Sequence, residues 1–290
     1  MILPHSGALK LSNGNCGKVY LTAAGPGDPD LITVKAVEAL RCADVVLTDR
    51  LVSEVILHRY VSATAEIIYV GKECRKKIST PQTEINNLIS KYALEGKTVV
   101  RLKGGDVSIF SNILDELQEL VNNNIPYEII PGVTSALGAA AYAGIPLTAR
   151  GYSTAVRFLT YYKSDVVTEC YWKELAKTSD TLVFYMSAAT IADVIEKLTT
   201  YGIDANVQLA VVEQATTCFQ KTYTCNIYEF TSKLKGRKFI SPSLVIIGKV
   251  VALHEQFKWL TNESAGKQYF ASVSGSKNIY ELSNPVKNAI

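Results

Sequence analysis

Short runs of β-branched and apolar residues alternate with segments of helical spacing along the first half of the chain. Residues 19–22, 44–47, 67–70, 98–102 and 127–130 are typical of buried strands. Apolar residues recur every three or four positions between them, as in residues 53–60 and 81–94. Five strands separated by helices predict a parallel α/β sheet.

The same alternation continues after a segment rich in alanine and glycine, residues 131–150, which is typical of a domain junction. Strands are predicted at 156–160, 181–186, 208–213, 221–225 and 243–248. Residues 220–225 are expected to pair antiparallel with residues 208–213, so the second sheet should be mixed. We therefore expect an N-terminal α/β domain over 16–131, a C-terminal α/β domain over 132–261 and a tail over 262–290.

Composition excludes several classes of function. The 290 residues carry a formal net charge of +3, too little to indicate a nucleic-acid partner. No stretch approaches the roughly 18 apolar residues of a membrane span, and the N-terminus lacks the pattern of a signal peptide. The six cysteines are scattered and the three histidines match no ligand spacing, so we expect no metal site and a cytoplasmic location.

Two glycine-containing turns follow predicted strands, where open α/β sheets bind ligands. In Gly25-Pro26-Gly27-Asp28-Pro29, Asp30 stands where a dinucleotide-binding loop needs its third glycine. This turn is either a tight turn before a helix capped by Asp28 or the site of a cofactor other than NAD or ATP. Lys103-Gly104-Gly105-Asp106 is either a simple strand end or a loop whose backbone approaches a ligand.

Charged residues follow two further predicted strands, and the first of them allows two interpretations. Asp49 either pairs with Arg50 or acts as a proton acceptor, and neighbouring residues on an extended chain point to opposite faces, which disfavours the direct pair. The basic segment from Lys72 to Lys77 taken alone is typical of a solvated loop.

Six motifs together have the order and spacing of one enzyme family, between about residues 18 and 253. They are AGPGDP (24–29), ADVVLTDRLVS (43–53), VGK (70–72), VRLKGGD (100–106), IPGVTSA (130–136) and AGIPLT (143–148). On these residues the chain resembles the uroporphyrinogen-III C-methyltransferases, which methylate uroporphyrinogen III at C2 and C7 to give precorrin-2 for sirohaem and cobalamin synthesis.

The resemblance implies two α/β domains with S-adenosylmethionine in the cleft between them, S-adenosylhomocysteine as a product and a homodimer. Asp49 matches the proton acceptor of the family and Lys72 the proton donor. The substrate bears eight carboxylates, which gives Arg50 and Arg150 a reason to lie near the cleft. The residues that match cofactor contacts are Pro26, Gly104, Gly105, Asp106, Ile109, Thr134, Ser135, Met186 and Ala215.

The chain departs from the family pattern at a few positions. Val107-Ser108 replaces Pro-Phe after the Gly-Gly-Asp motif, Ala149 replaces a histidine and Thr48 replaces a tyrosine. Substrate identity therefore leaves alternatives: a methyltransferase acting on a later precorrin, a diphthine synthase, or a relative that binds the cofactor without turnover.

Overall fold

The computed structural model describes residues 16–70, 80–161, 167–187, 189–260 and 269–270. Its first half is a parallel five-stranded sheet in the order β3-β2-β4-β1-β5 with helices on both faces. The elements are β1 (Val19–Ala23), α1 (Val34–Arg41), β2 (Val45–Thr48), α2 (Glu54–Tyr60), β3 (Glu66–Tyr69), α3 (Gln82–Leu94), β4 (Val99–Lys103), α4 (Leu114–Asn122) and β5 (Tyr127–Ile130). The predicted parallel sheet is confirmed.

The second half is a mixed five-stranded sheet in the order β6-β7-β10-β8-β9. Its elements are α5 (Ser135–Tyr142), β6 (Val156–Thr160), α6 (Glu169–Lys177), β7 (Thr181–Tyr185), α7 (Ile191–Thr200), β8 (Gln208–Glu213), β9 (Lys221–Asn226), α8 (Phe230–Lys233), β10 (Ser243–Gly248) and α9 (His254–Phe257). β6 and β7 are parallel, whereas β10 pairs antiparallel with β7 and β8. The predicted antiparallel pairing of β8 with β9 is confirmed.

Both sheets bury each of their faces, which explains why the central strands are largely apolar on both faces rather than alternating; Arg101 and Lys103 of β4 are buried exceptions. In β1 and β4, Val19, Leu21 and Val99 pack towards α3 and α4, whereas Val100 and Leu102 pack towards α1 and α2. The helices cover the faces and leave the carboxyl ends of the strands for loops. The site is built from these loops.

The first helix begins later than the sequence suggests. Asp28 accepts a hydrogen bond from the Asp30 amide, but it caps only a single 3₁₀ turn, Pro29–Leu31. The chain is then extended at Ile32 and Thr33, and the Thr33 side chain caps α1 by accepting from the Ala36 amide. Asp28 therefore shapes the loop after β1 rather than the start of α1.

Candidate active site

The loops after β1 and β4 are joined through their glycines. The Gly25 amide donates to the Gly105 carbonyl over 3.1 Å, and the Gly105 amide donates to the Gly25 carbonyl over 2.7 Å. Gly105 has a φ of +72°, a left-handed conformation that glycine adopts without steric cost. A Cβ built there would lie 3.2 Å from the Ser135 hydroxyl oxygen at the start of α5. Gly105 therefore brings the two loops and α5 together.

Asp106 stabilises the same junction. One carboxylate oxygen accepts from the Gly132 amide at 2.8 Å, and the other accepts from the Ser108 amide at 2.8 Å and from its hydroxyl. Burial opposes ionisation, but these hydrogen bonds outweigh it and hold the pKa of Asp106 below its ordinary value. Ser108, one of the departures from the family pattern, thus supplies two of the donors.

The loop after β4 also contacts the turn that carries Asp49. A Cβ added to Gly104 would lie 2.8 Å from the Leu51 carbonyl oxygen, so only glycine allows this approach. Within the turn, the Asp49 carboxylate accepts from the Leu51 amide at 3.0 Å. Its second oxygen lies 3.8 Å from the guanidinium of Arg101, a buried β4 residue that the sequence analysis did not connect with Asp49.

Residues of the second half close the site from the other side. Gly138 of α5 packs on Pro26, where an added Cβ would come within 2.7 Å of the proline ring. The Asp28 amide donates to the Thr216 hydroxyl at 3.0 Å, and the Tyr142 hydroxyl donates to the Asp28 carboxylate. Pro26 is therefore buried between the two halves.

Tyr185, the last residue of β7, ties the second sheet to the start of α5. Its hydroxyl lies 2.7 Å from the Thr134 hydroxyl and accepts from the Ala136 amide at 3.2 Å. Burial raises the pKa of Tyr185 above its ordinary value, although these hydrogen bonds oppose the shift. A tyrosine within an apolar strand is most simply a core residue, so the sequence did not indicate a place for Tyr185 in the site.

Four non-glycine residues around the cleft have positive φ angles, which the sequence analysis also did not anticipate. They are Phe110 at +50°, Met186 at +54°, Gln214 at +47° and Thr216 at +65°. Each such residue costs on the order of 1–3 kcal/mol, and such strain concentrates at ligand-binding positions. Phe110 packs against Tyr185 with a centroid distance of 5.0 Å and the rings tilted by 59°. Met186 and Phe110 remain 52% and 43% exposed, which leaves apolar surface for a ligand.

The other site residues predicted from the sequence differ in how deeply they are buried. Ala215 is buried beside Gly27, and Ser135 and Ile109 are partly buried, Ser135 at the Gly105 junction. Arg50 is partly exposed in the Asp49 turn, and Arg150 lies on an exposed turn between α5 and β6. Lys72 and the basic segment that follows it lie outside the described residues.

The site fits a cofactor with the parts of S-adenosylmethionine. Gly104 and Gly105 let this loop pack closely on Leu51 and Ser135, and Met186 and Phe110 offer apolar contacts. The N-terminus of α5 lies at the same junction, and the helix dipole favours a negatively charged group such as a carboxylate there. Asp106 accepts three hydrogen bonds, from the Ser108 amide, the Ser108 hydroxyl and the Gly132 amide, and these shape the loop.

Two residues of the predicted tail also reach the site. Phe270 is buried next to Gly27, and the Tyr269 hydroxyl lies 2.7 Å from the Ser53 hydroxyl. The Tyr269 amide donates to the side chain of Gln214. The rest of the predicted tail, residues 262–268 and 271–290, lies outside the described part of the chain.

Within the described ranges, no group of three or more His, Cys, Asp or Glu residues is arranged to hold a metal ion. In the same residues, no helix has the length and apolar character needed to cross a membrane.

Comparison with known proteins assigns the chain to a family. Residues 18–231 match the model of the tetrapyrrole (corrin/porphyrin) methylases. A sirohaem synthase of Acinetobacter baylyi is 45% identical over 244 residues, which are 84% of this chain and 53% of the relative. The chain thus spans about half the length of the curated relatives that it matches.

Solved structures agree with this assignment. A cobalt precorrin-4 methyltransferase is 27% identical with a TM-score of 0.73, and the match covers 83% of this chain and 98% of the other. Uroporphyrin-III C-methyltransferase of Thermus thermophilus, complexed with S-adenosylhomocysteine, is 33% identical with a TM-score of 0.66, covering 81% and 93%. The chain belongs to the tetrapyrrole (corrin/porphyrin) methylases.

Proposed function

We propose that the chain transfers methyl groups from S-adenosylmethionine to C2 and C7 of uroporphyrinogen III, giving precorrin-2. The observation that carries the proposal is the contact between Gly104 and Leu51, which sets the Asp49 turn against the loop assigned to the cofactor. Asp49, as the proton acceptor, and a methyl donor bound at the second loop would therefore lie beside one another. The similarity to a methyltransferase complexed with S-adenosylhomocysteine supports the choice of cofactor.

When bound, S-adenosylmethionine supplies a methyl group on a sulfonium, which an electron-rich pyrrole carbon attacks in line. The joined Gly25 and Gly105 loops and α5 orient the reactants, and alignment of this kind accounts for much of the rate in a two-reactant transfer. Asp49 accepts the proton that the methylated macrocycle releases. The turn that carries Asp49 is held in shape by the hydrogen bond that its carboxylate accepts from the Leu51 amide. Lys72 is proposed as the proton donor.

The remaining parts of the proposal concern the substrate and the assembly. Arg50 and Arg150 are proposed to bind carboxylates of the macrocycle, because a partly exposed guanidinium forms strong paired hydrogen bonds with a carboxylate. We further propose a cytoplasmic homodimer, as the resemblance implies. Sedimentation of a monomer at micromolar concentration would contradict the dimer.

Product analysis tests the proposed reaction. Purified protein is incubated anaerobically with uroporphyrinogen III and S-adenosylmethionine labelled in its methyl group, and the tetrapyrroles are examined by mass spectrometry. We expect two labelled methyl groups on each product molecule. Asp49→Asn under the same conditions is the matched control, since it should bind the cofactor but form little product.

Other outcomes identify the alternatives. Absence of a methylated product from uroporphyrinogen III contradicts the proposal. Methylation only when a later precorrin is supplied would favour a cobalamin-pathway enzyme similar to the cobalt precorrin-4 methyltransferase. Calorimetric binding of the cofactor without turnover on any tetrapyrrole would indicate a binding-only relative.

A further inference from the structure

A group of buried charges lies directly behind Asp49. Arg101 and Lys103 are two residues apart on β4, so both side chains point to the face of the sheet that α4 covers. Glu116 in the first turn of α4 meets them there, and its side chain is fully buried. The Arg101 and Lys103 side chains are 5% and 7% exposed, and that of Asp49 is 25% exposed. The group extends from the buried Glu116 beneath the sheet to the partly exposed Asp49 at the cleft.

The guanidinium of Arg101 is fixed by contacts on most of its nitrogens. Its Nε donates to Glu116 at 3.0 Å, and one terminal nitrogen donates to the carbonyls of Leu47 and Leu102 at 3.3 and 3.1 Å. The other terminal nitrogen faces Asp49 at 3.8 Å. Glu116 and the strand carbonyls therefore set the direction in which Arg101 presents its charge to Asp49.

Lys103 completes the group from the other side of Glu116. Its Nζ donates to both Glu116 oxygens, at 3.2 and 3.0 Å. Burial lowers the pKa of Lys103 and the charge of Arg101 lowers it further, whereas Glu116 and Asp49 oppose the shift. Asp49 is thus electrostatically linked to both cations.

Such an arrangement is costly as a means of stabilising a fold. Desolvation of buried ions often cancels their attraction, and apolar residues of similar volume frequently stabilise a core as well or better. The two cations need two anions for balance, and one of those anions is the partly exposed carboxylate at the cleft. The group is therefore best explained by what it does to Asp49.

We propose that Arg101 and Glu116 are positioning residues for proton transfer. Glu116 orients the guanidinium of Arg101, and Arg101 in turn holds the Asp49 carboxylate in place. This inference rests on the proposed function, in which Asp49 accepts a proton. It predicts that Glu116, which is buried away from the cleft, affects turnover only through Asp49.

A double-mutant cycle tests the inference, with kcat and the KM for S-adenosylmethionine measured for wild type, Glu116→Gln, Asp49→Asn and the double variant. We expect Glu116→Gln to lower kcat about tenfold with KM unchanged, because small displacements of a catalytic group cost rate rather than binding. In the Asp49→Asn background the same substitution should change kcat by less than about twofold, since the residue it acts through is absent. Glu116→Asp, which keeps the charge, should recover part of the loss.

Glu119→Gln is the matched control, because Glu119 lies on the same helix and hydrogen-bonds Ser90 instead of Arg101. The inference is overturned if the losses of Glu116→Gln and Asp49→Asn multiply, or if Glu116→Gln is as active as Glu119→Gln. If Glu116→Gln shows no cooperative melting transition, Arg101→Lys replaces it in the cycle, since lysine keeps the charge but loses the fork that reaches Glu116 and Asp49 together.

A wild type that methylates no tetrapyrrole would contradict the proposed function rather than the positioning. Crystal structures of wild type and Glu116→Gln then decide the inference without an activity measurement. A guanidinium displaced from Asp49 in the variant supports it. A guanidinium that keeps the 3.8 Å separation overturns it.

Discussion

Replacement of Tyr185 by phenylalanine should weaken the attachment of the start of α5 to the second sheet. The substitution keeps the ring, which packs at a tilt against Phe110 and edge-on against Phe158. It removes only the hydroxyl that contacts Thr134 and accepts from the Ala136 amide. Any effect therefore reports on these two hydrogen bonds.

The expected size follows from burial. Ala136 is fully buried, Thr134 is 7% exposed and Tyr185 is 8% exposed, so water cannot readily replace the lost hydroxyl. A buried donor left without a partner costs about 1–3 kcal/mol, and the Ala136 amide belongs to the first turn of α5, where no carbonyl of the helix is available. We expect a loss of about 2–3 kcal/mol in the free energy of unfolding.

Urea denaturation and thermal melting measure this loss, with a fall in Tm of about 2–4 °C per kcal/mol for a chain of this size. Tyr228→Phe is the matched control: its hydroxyl donates to the Ile203 carbonyl at 2.7 Å, but Tyr228 is 49% exposed and water can take its place. We expect the control to lose about 0.5 kcal/mol or less. If Tyr185→Phe loses no more than Tyr228→Phe, the bridging role assigned to this hydroxyl is wrong.

Three further predictions concern the loops of the site. Asp49→Asn should reduce turnover by about 10²–10⁴-fold with nearly unchanged cofactor affinity by calorimetry, because it removes a general base but keeps its size; a fully active variant would exclude the base role. Gly105→Leu should abolish cofactor binding, whereas Gly202→Leu, with a similar φ of +74° but open space around it, should leave the affinity intact; equal affinities would refute the placement of the cofactor. Hydrogen bonds hold the pKa of Asp106 below 3.8, so they stabilise the fold above that pH and the contribution is lost as the pH falls through the lowered pKa. Ser108→Ala removes one donor, and the stability that the variant loses relative to wild type, measured by urea denaturation, should shrink as the pH falls below about 4; a loss independent of pH would show that the hydroxyl does not act through the carboxylate.

The sheets could be predicted from the sequence because strands buried on both faces leave continuous apolar runs, bounded here by turns such as Gly25–Gly27. The Asp49 turn was also recognisable, since it follows such a run. Its contact with Arg101 was not, because the two residues are distant in sequence and meet only through the register that pairs Leu47 with Arg101. Arg101 and Lys103 within a strand gave no indication of the helix that would supply Glu116.

The strained positions were equally hidden. Met186, Gln214 and Thr216 rarely adopt positive φ, and local propensity predicts an ordinary backbone for them. A tertiary contact supports this conformation at Thr216, whose hydroxyl accepts from the amide of Asp28. Such contacts between distant segments are not encoded in any local pattern.

Tyr269 and Phe270 pack between the two halves of the molecule and so resist their separation. Tyr269 holds Ser53 of the first half and Gln214 of the second at once, while Phe270 fills the space beside Gly27. A rotation that separates the two halves has to break at least one of the two tyrosine contacts, and it opens the space in which the phenylalanine ring is buried. Widening the cleft to admit a macrocycle therefore costs the additional free energy of detaching Tyr269 and Phe270.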